Sequence, residues 1–475
     1  MKGPVLRIAR EEWRALARNR TGVIASLVLV ALVVTAAVVS IEQRNALEAA
    51  RARYQAMADE AFDAQPNRHP HRMVHYGQFV FRPTPALAFF DSGVNSYTGS
   101  TIFLEGHRQN SANFSDARQS SLLLRFGELT PAFVLQTLAP LLVIFLAFGA
   151  VARERERGTL RVLLAQGISG GQLVAGKVLG HGAVVLVIAA PAFLVLLGMT
   201  SIGLAPVAPS LLLLAGYAAY LLVWTLVSVL VSAVASRPRD ALLALIGLWM
   251  IGVILLPRTL PEVAATRLQT PTRIETDIAI HSELKKIGDS HNPDDPYFND
   301  FKARTLARYG VSRVEDLPVQ YAGLVSMEGE RLTSELYDRH AREAFGREQA
   351  QNRFVGVFGV VSPVIAVRQL SMALAGTDAA SHQDFLDQAE HYRYRLVQAL
   401  NRMQVEQIPN VDAGEDPRID GSNWAKAPDF AYARPDPLRA SADRIWTSLG
   451  LLAAWFCALA AVAVPVSRRL GRVAR

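Results

Sequence analysis

The sequence predicts an all-α polytopic membrane protein, with six transmembrane helices and an α-rich exterior domain. Three observations carry this prediction. Six apolar stretches, at 21–40, 129–151, 178–198, 209–235, 241–257 and 445–465, contain no acidic or basic side chain. Each is near the roughly 20 residues a helix needs to cross a bilayer, where every backbone polar group must be paired internally. Charge is also sorted by side. The basic clusters Lys2–Arg20, Arg153–Lys177, Arg237/Arg239 and Arg468–Arg475 all fall on one face if six helices alternate. The connection 42–128 is balanced, and 258–443 is acidic by about six charges. That bias places both termini in the cytoplasm. Finally, the chain has one cysteine, Cys457, inside the last span, so no internal disulfide framework holds the exterior segments.

The net charge of +7 is therefore a topology signal and not a nucleic-acid footprint. In the leader, 1–20, Leu6, Ala9, Trp13 and Leu16 recur at spacings of three and four with arginines opposite, which predicts a surface helix. The span at 21–40 is longer than a usual signal core and reads as an uncleaved anchor. The first exterior segment, 41–128, opens with a stripe of Leu47, Ala50, Tyr54, Ala58 and Phe62 that predicts a helical stalk ending at Pro66 and Pro70. Phe79–Gly93 is aromatic and proline-rich, and fits either the bilayer surface or a loop packed on the domain.

A cytoplasmic loop, 152–177, separates the second and third spans. The second exterior segment, 258–444, contains a seam of Phe385, Ala389, Tyr392, Leu396, Ala399 and Met403, which predicts long packed helices. The apolar run 354–376 holds Pro363 and Arg368 and is expected to rest at the outer interface as an amphipathic segment. The basic tail, 466–475, closes the chain.

Two motifs are decoys. Ile168–Gln172 and the G-x-x-x-x-G-K from Gly171 to Lys177 imitate nucleotide-binding signatures. They overlap, no strand precedes them, and Val178 replaces the hydroxyl that holds Mg2+. Three histidines, His69, His71 and His75, lie close together around Pro70. Imidazoles can hold Zn2+ or Cu2+, but no neighbouring Cys or clear carboxylate completes a site, so an incidental loop is expected. Asp378, His382 and Asp384 are expected to cap and pack rather than catalyse, because no nucleophile pairs with them. The spans carry no Asp, Glu, Lys or Arg, which argues against proton coupling; His181 is the one titratable candidate.

The loop sequence Arg153-Glu154-Arg155-Glu156-Arg157-Gly158-Thr159-Leu160, followed by Leu163-Leu164-Ala165 and Gly176-Lys177, resembles the first cytoplasmic loop of ABC-2 type transporter permeases. Gly167 stands where many members carry proline. The resemblance implies that this loop docks on a separate ATPase. Charges of both signs offer docking pairs, and Leu160, Leu163 and Leu164 offer an apolar ridge. In the second exterior segment, Phe358, Ser362-Pro363, Arg368, Leu370-Ser371-Met372, Ala375-Gly376-Thr377-Asp378, His382, Phe385, Ala389-Glu390, Tyr392-Arg393 and Asn401 are similar to the DUF3526 group of those permeases. Phe81–Gly93 fits the same group. Read from the residues, Ser362-Pro363 starts a helix, Gly376 ends it, and Thr377 or Asp378 caps the next: a structural elbow.

The expected function is the transmembrane permease subunit of an ATP-driven exporter in the inner membrane. The chain itself would be no enzyme and hold no cofactor, with ATP and Mg bound by the partner. Its partners would be two copies of an ABC ATPase, a second permease chain (identical or related) and the lipid bilayer, with no nucleic acid. The alternative is a non-transporting scaffold or sensor whose exterior domain binds a partner.

Overall fold

In a computed structural model the chain is described except at residues 1–2, 114–128, 289–291, 293, 411–415 and 473–475. Lys2 and Arg475, part of the charge pattern above, lie outside the described residues. Among the described residues six helices are long and apolar enough to cross a membrane: α2 (Arg20–Asp63), α4 (Pro131–Glu156), α6 (Gly170–Ser201), α7 (Val207–Val234), α8 (Pro238–Arg267) and α14 (Ala442–Arg472). The other described helices of seven or more residues are α1 (Pro4–Arg18), α3 (Pro70–Tyr76), α5 (Thr159–Ala165), α9 (Arg273–Ile287), α10 (Pro296–Tyr309), α11 (Tyr321–Val357), α12 (Pro363–Ala375) and α13 (Ala379–Gln407).

Helix α7 is the hub of the bundle, packed against α4, α6, α8, α12 and α14. Its Leu213, Tyr217, Tyr220, Leu221 and Trp224 are buried in one core with residues of α2, α4 and α6. On the outside, α8 and α14 keep large apolar side chains such as Leu243, Ile251, Trp446 and Val462 exposed. In hydrocarbon such exposure carries no penalty, because lipid tails are as apolar as leucine.

Two spans contain a widened π turn, Val134–Leu138 in α4 and Met250–Leu255 in α8. Each is followed two residues on by a proline, Pro140 or Pro257. Proline lacks the N–H that would meet the carbonyl four residues back and clashes with it, so the ladder opens there. Side chains of neighbouring helices take up the released carbonyls. Tyr220 donates to Gln136 O at 2.7 Å, Trp249 to Thr137 O at 3.0 Å and Ser362 to Gly252 O at 2.7 Å.

Beyond one end of the bundle stands a lobe. The antiparallel helices α11 and α13 form its spine, and the far half of α2, α3 and a two-stranded antiparallel ribbon complete it. The ribbon pairs β1 (Gln78–Phe81) with β2 (Thr101–Leu104), Phe79 facing Phe103. Its core joins Phe62, Met73, Val80, Ile102, Leu104, Phe385, Tyr392, Leu396, Leu400 and Trp424. The ribbon is absent from the sequence expectation: four-residue strands leave too little alternation to read.

Two expectations need correction here. The segment 354–376 is not an amphipathic element resting on a surface. Its first residues extend α11, and α12 is buried around most of its girth between α7 and α14, with Arg368 turned outward. Phe79–Gly93, for which two placements stood open, plunges Leu87, Phe89 and Phe90 into the core formed by the spans. These two inserts close the lobe end of the bundle together.

Candidate functional site

The loop end of the bundle is built on α1, α5 and the tips of the spans. After α4, Gly158 takes a left-handed backbone (φ 77°) that lets the chain reverse into α5, and Gly167 (φ 86°) ends that helix. Ser169 then caps α6, with a reciprocal bond from Gln172. The stretch Gly171–Lys177, one of the sequence decoys, thus lies in the first turns of a helix and is not a phosphate loop.

The docking ridge expected from the sequence is only partly exposed. Leu160 and Leu164 turn inward and are buried with Val151, Leu173, Val229 and Leu470, and Leu163 packs against the same cluster. The seven-residue helix α5 does not leave all three leucines in water when an apolar cleft lies beneath it. The outward face of this region consists of Arg153, Glu156, Arg157, Gly158, Thr159, Arg161 and Val162. Arg155 is also spoken for: its guanidinium donates to the carbonyls of Ala233 (2.6 Å) and Ala235, tying the loop to the last turn of α7. The amides of Val151 and Ala152 both donate to Ser232 Oγ, at 3.0 and 3.1 Å. Glu154 accepts from Thr159 and from Lys177 Nζ at 3.3 Å.

Lys177 is 4% exposed and also meets Glu12 Oε1 at 2.6 Å, so one ammonium joins the leader, the loop and α6. His181 lies beside this junction, its Nδ1 2.9 Å from Lys177 O and its Nε2 3.8 Å from Glu12. The leader comes this close because Gly176 and Gly180 face it; a Cβ on Gly176 would lie 2.6 Å from Ile8 Cβ, and one on Gly180 2.8 Å from Glu12 Cβ.

At the lobe end the elbow residues meet the inserted loop. Pro363 opens α12, Gly376 ends it with φ 69°, and Asp378 Oδ1 accepts from Ser381 N as the cap of α13. Arg82, 7% exposed, donates to Gly376 O at 3.2 Å and to Asn95 at 2.9 Å. Val94 N donates to Thr377 O at 2.9 Å, and Arg444 at the head of α14 pairs with Asp378. Arg368 stays on the outer face of α12.

The same insertion delivers a carboxylate that the apolar runs do not contain. Asp91 is buried beside Gln136, whose amide donates to it at 3.5 Å and to Tyr217 Oη at 2.7 Å; Tyr217 donates onward to Ser371 at 2.9 Å. Burial pushes the Asp91 carboxyl up, against the pull of Ser371, the Gly93 amide, Arg368 and Gln136. The apolar runs of the spans carry no carboxylate; this one comes from the connection between α2 and α4.

Between the upper part of α2 and the inserted loop lies a cavity of about 540 Å3, with Arg44, Arg51 and Arg82 beside Tyr54, Phe79 and Phe81. In the lobe, the histidines predicted as a flexible loop sit on α3. His69 caps this helix, its Nδ1 accepting from His71 N, while His71 and His75 share one face. His107 joins them from beyond β2, and nothing in the local sequence could announce it. Asp384 accepts from Tyr432 (3.0 Å) and Gln388 (2.9 Å), and His382 packs near Phe385.

Comparison with known proteins follows the same division. Residues 6–305 match the family described as ABC-2 family transporter protein, and residues 273–433 match DUF3526, described as a domain of unknown function. The chain is 32% identical over 130 residues to a protein of Pseudomonas aeruginosa named probable ABC transporter permease protein NosY. That match covers 25% of this chain and 45% of the relative, so the chain spans less than half of the relative's length.

Proposed function

Because this chain belongs to the ABC-2 family of transporter proteins, we propose that it is the transmembrane permease subunit of an ATP-driven exporter in a cell inner membrane. A separate ATPase would dock at the loop end, which is then cytoplasmic together with both termini. Two ATPase copies and a second permease chain, identical or related, complete the assembly, and ATP and Mg belong to the ATPase.

One observation carries this reading. The segment 152–169, which continues α4, is not a free connector: Arg155 and Ser232 bolt it to α7, and Glu154 with Lys177 bolts it to α6 and the leader. A push on its outward face is therefore passed to three spans at once. The exposed charges of both signs, Glu156, Arg157 and Arg161, give a partner its contacts. The arginine and aromatic cavity at the other end of the bundle supports an amphipathic, lipid-like cargo.

The test is recruitment. Glu156→Lys and Arg161→Glu, both on the outward face, are expected to abolish co-purification of the ATPase while leaving the permease folded in detergent. Normal co-purification with both variants overturns the docking role. Leu164→Asp does not serve, because Leu164 is buried within its own chain and the change would damage the fold.

A further inference from the structure

We propose that His71, His75 and His107 form a binding site for one divalent transition-metal ion, Zn2+ or Cu2+. His71 and His75 stand one helical turn apart on α3, with their Nε2 atoms 3.2 Å from one another. His107 comes from the turn after β2, its ring centroid 5.7 Å from that of His71 and 5.2 Å from that of His75. One nitrogen from each of the three rings lies within 4.8 Å of the other two. A metal at ~2.0–2.1 Å from each nitrogen in tetrahedral geometry sets those nitrogens about 3.3 Å apart. One pair already has that spacing, and small rotations of exposed or half-buried rings bring in the third.

Two further features of His107 set the site apart from a chance cluster. Among the described residues it is the one non-glycine with a positive φ, 65°. A histidine costs more there than glycine, and such outliers gather at functional positions. Its Nδ1 lies 3.4 Å from Glu330 Oε2, and its backbone N–H donates to the same oxygen at 3.0 Å. A carboxylate on Nδ1 fixes the tautomer that leaves Nε2 for a metal. Glu330 is itself fully buried and held by Arg393 at 2.5 Å, so the outer support is rigid.

The donor set decides the metal class. Three neutral imidazoles, with no carboxylate among them, suit Zn2+ and Cu2+ and not Mg2+ or Ca2+. His75 is exposed, so a fourth position opens to water or to an exchangeable ligand. Binding requires deprotonated rings and is therefore lost in acid.

The experiment uses the full-length protein in detergent, purified without a histidine tag and stripped with a chelator. Zn2+ and Cu2+ are titrated separately, in competition with a chromophoric chelator. One equivalent per chain is expected. His75→Ala, at an exposed position, and His107→Asn, which tolerates the left-handed backbone, should each weaken binding by more than about 100-fold, beyond what loss of an outer support costs. His281→Ala, exposed on α9 and no part of the cluster, should bind as the unaltered protein does. Co2+ substitution should give tetrahedral visible absorption that both ligand variants abolish. Failure of both metals to bind at one equivalent, or equal binding by the His75 and His107 variants and the unaltered protein, overturns the proposal.

Discussion

Arg393 shows how much a single side chain carries in the lobe. It is 1% exposed and donates to Glu390, to Glu330, to Ser334 Oγ at 2.7 Å and to Glu105 O at 3.2 Å. Burial opposes ionisation of Glu330, but the Arg393 guanidinium and the His107 amide outweigh it and hold that carboxyl below its usual range. Glu390 is left above its usual range by burial, which its bonds to Arg393 only partly offset. Arg393→Met strands both carboxylates without a cation and should destabilise the lobe by about 3–5 kcal/mol, read by denaturant unfolding. A loss below about 1 kcal/mol would show the pair to be dispensable. His382 gives a pH test. Burial, and after it the field of Arg82, pushes its imidazole down to about 4, against about 6.5 in an unfolded chain. The unfolded state thus binds the extra proton first. The stabilisation is complete above about pH 6.5 and drains away as pH falls towards 4, by up to about 3 kcal/mol. His382→Gln should flatten this acid limb of the thermal unfolding profile, and an unchanged slope would refute the assignment.

The leader helix and α12 are elements whose placement depends on what they meet. Amphipathic spacing in α1 was readable, but not its partner; Gly176 and Gly180 on α6 supply the groove it lies in. Gly180→Leu should lift α1 at a cost of about 1–3 kcal/mol and speed tryptic cleavage at Arg7, Arg10 and Arg14. Gly198→Leu, on the same helix with open space around it, is the control and should leave cleavage unchanged. For α12, Pro363 and Arg368 made an interfacial placement attractive. The proline sits at the first turn, where its missing N–H costs nothing, and the arginine occupies the one outward position, so ten of the thirteen residues can be buried. A sequence shows that a charge is present; it does not show that a single escape route has been left for it. The same blindness hid Asp91. Asp91→Asn keeps the shape and removes the titration, so a transport rate that loses its pH dependence in this variant would assign Asp91 a protonation role, while an unchanged profile would leave it to packing.

At the scale of the whole molecule, the all-α class and the spans were legible because each apolar run is free of charge along its entire length, and hydrocarbon imposes that rule on every side of a helix. The seam of α13 was legible for a related reason: Phe385, Ala389, Tyr392, Leu396 and Met403 recur at helical spacings of four, three, four and seven residues and face one core. Contacts between distant parts of the chain were not. His107 reaches α3 through the ribbon, Arg82 reaches Gly376, and Leu160 folds under its own loop, and none of these is encoded in a local period. Of the ridge expected from Leu160, Leu163 and Leu164, two leucines are internal, because only the fold reveals the apolar cleft beneath them.

Helix α2 has a mechanical consequence. It runs without a break for 44 residues, from the leader at one end of the bundle to the histidine helix and Trp424 at the other. At 1.5 Å per residue it is a rod about 66 Å long, held by the spans in its first half at Leu29, Val33 and Ala36. Pivoted at Val33, a tilt of ten degrees carries the leader tip through about 3 Å and the lobe tip through about 8 Å in the opposite direction. A small rocking at the leader end would thus arrive at the lobe as an enlarged sideways stroke, with no signal needing to travel from residue to residue in between.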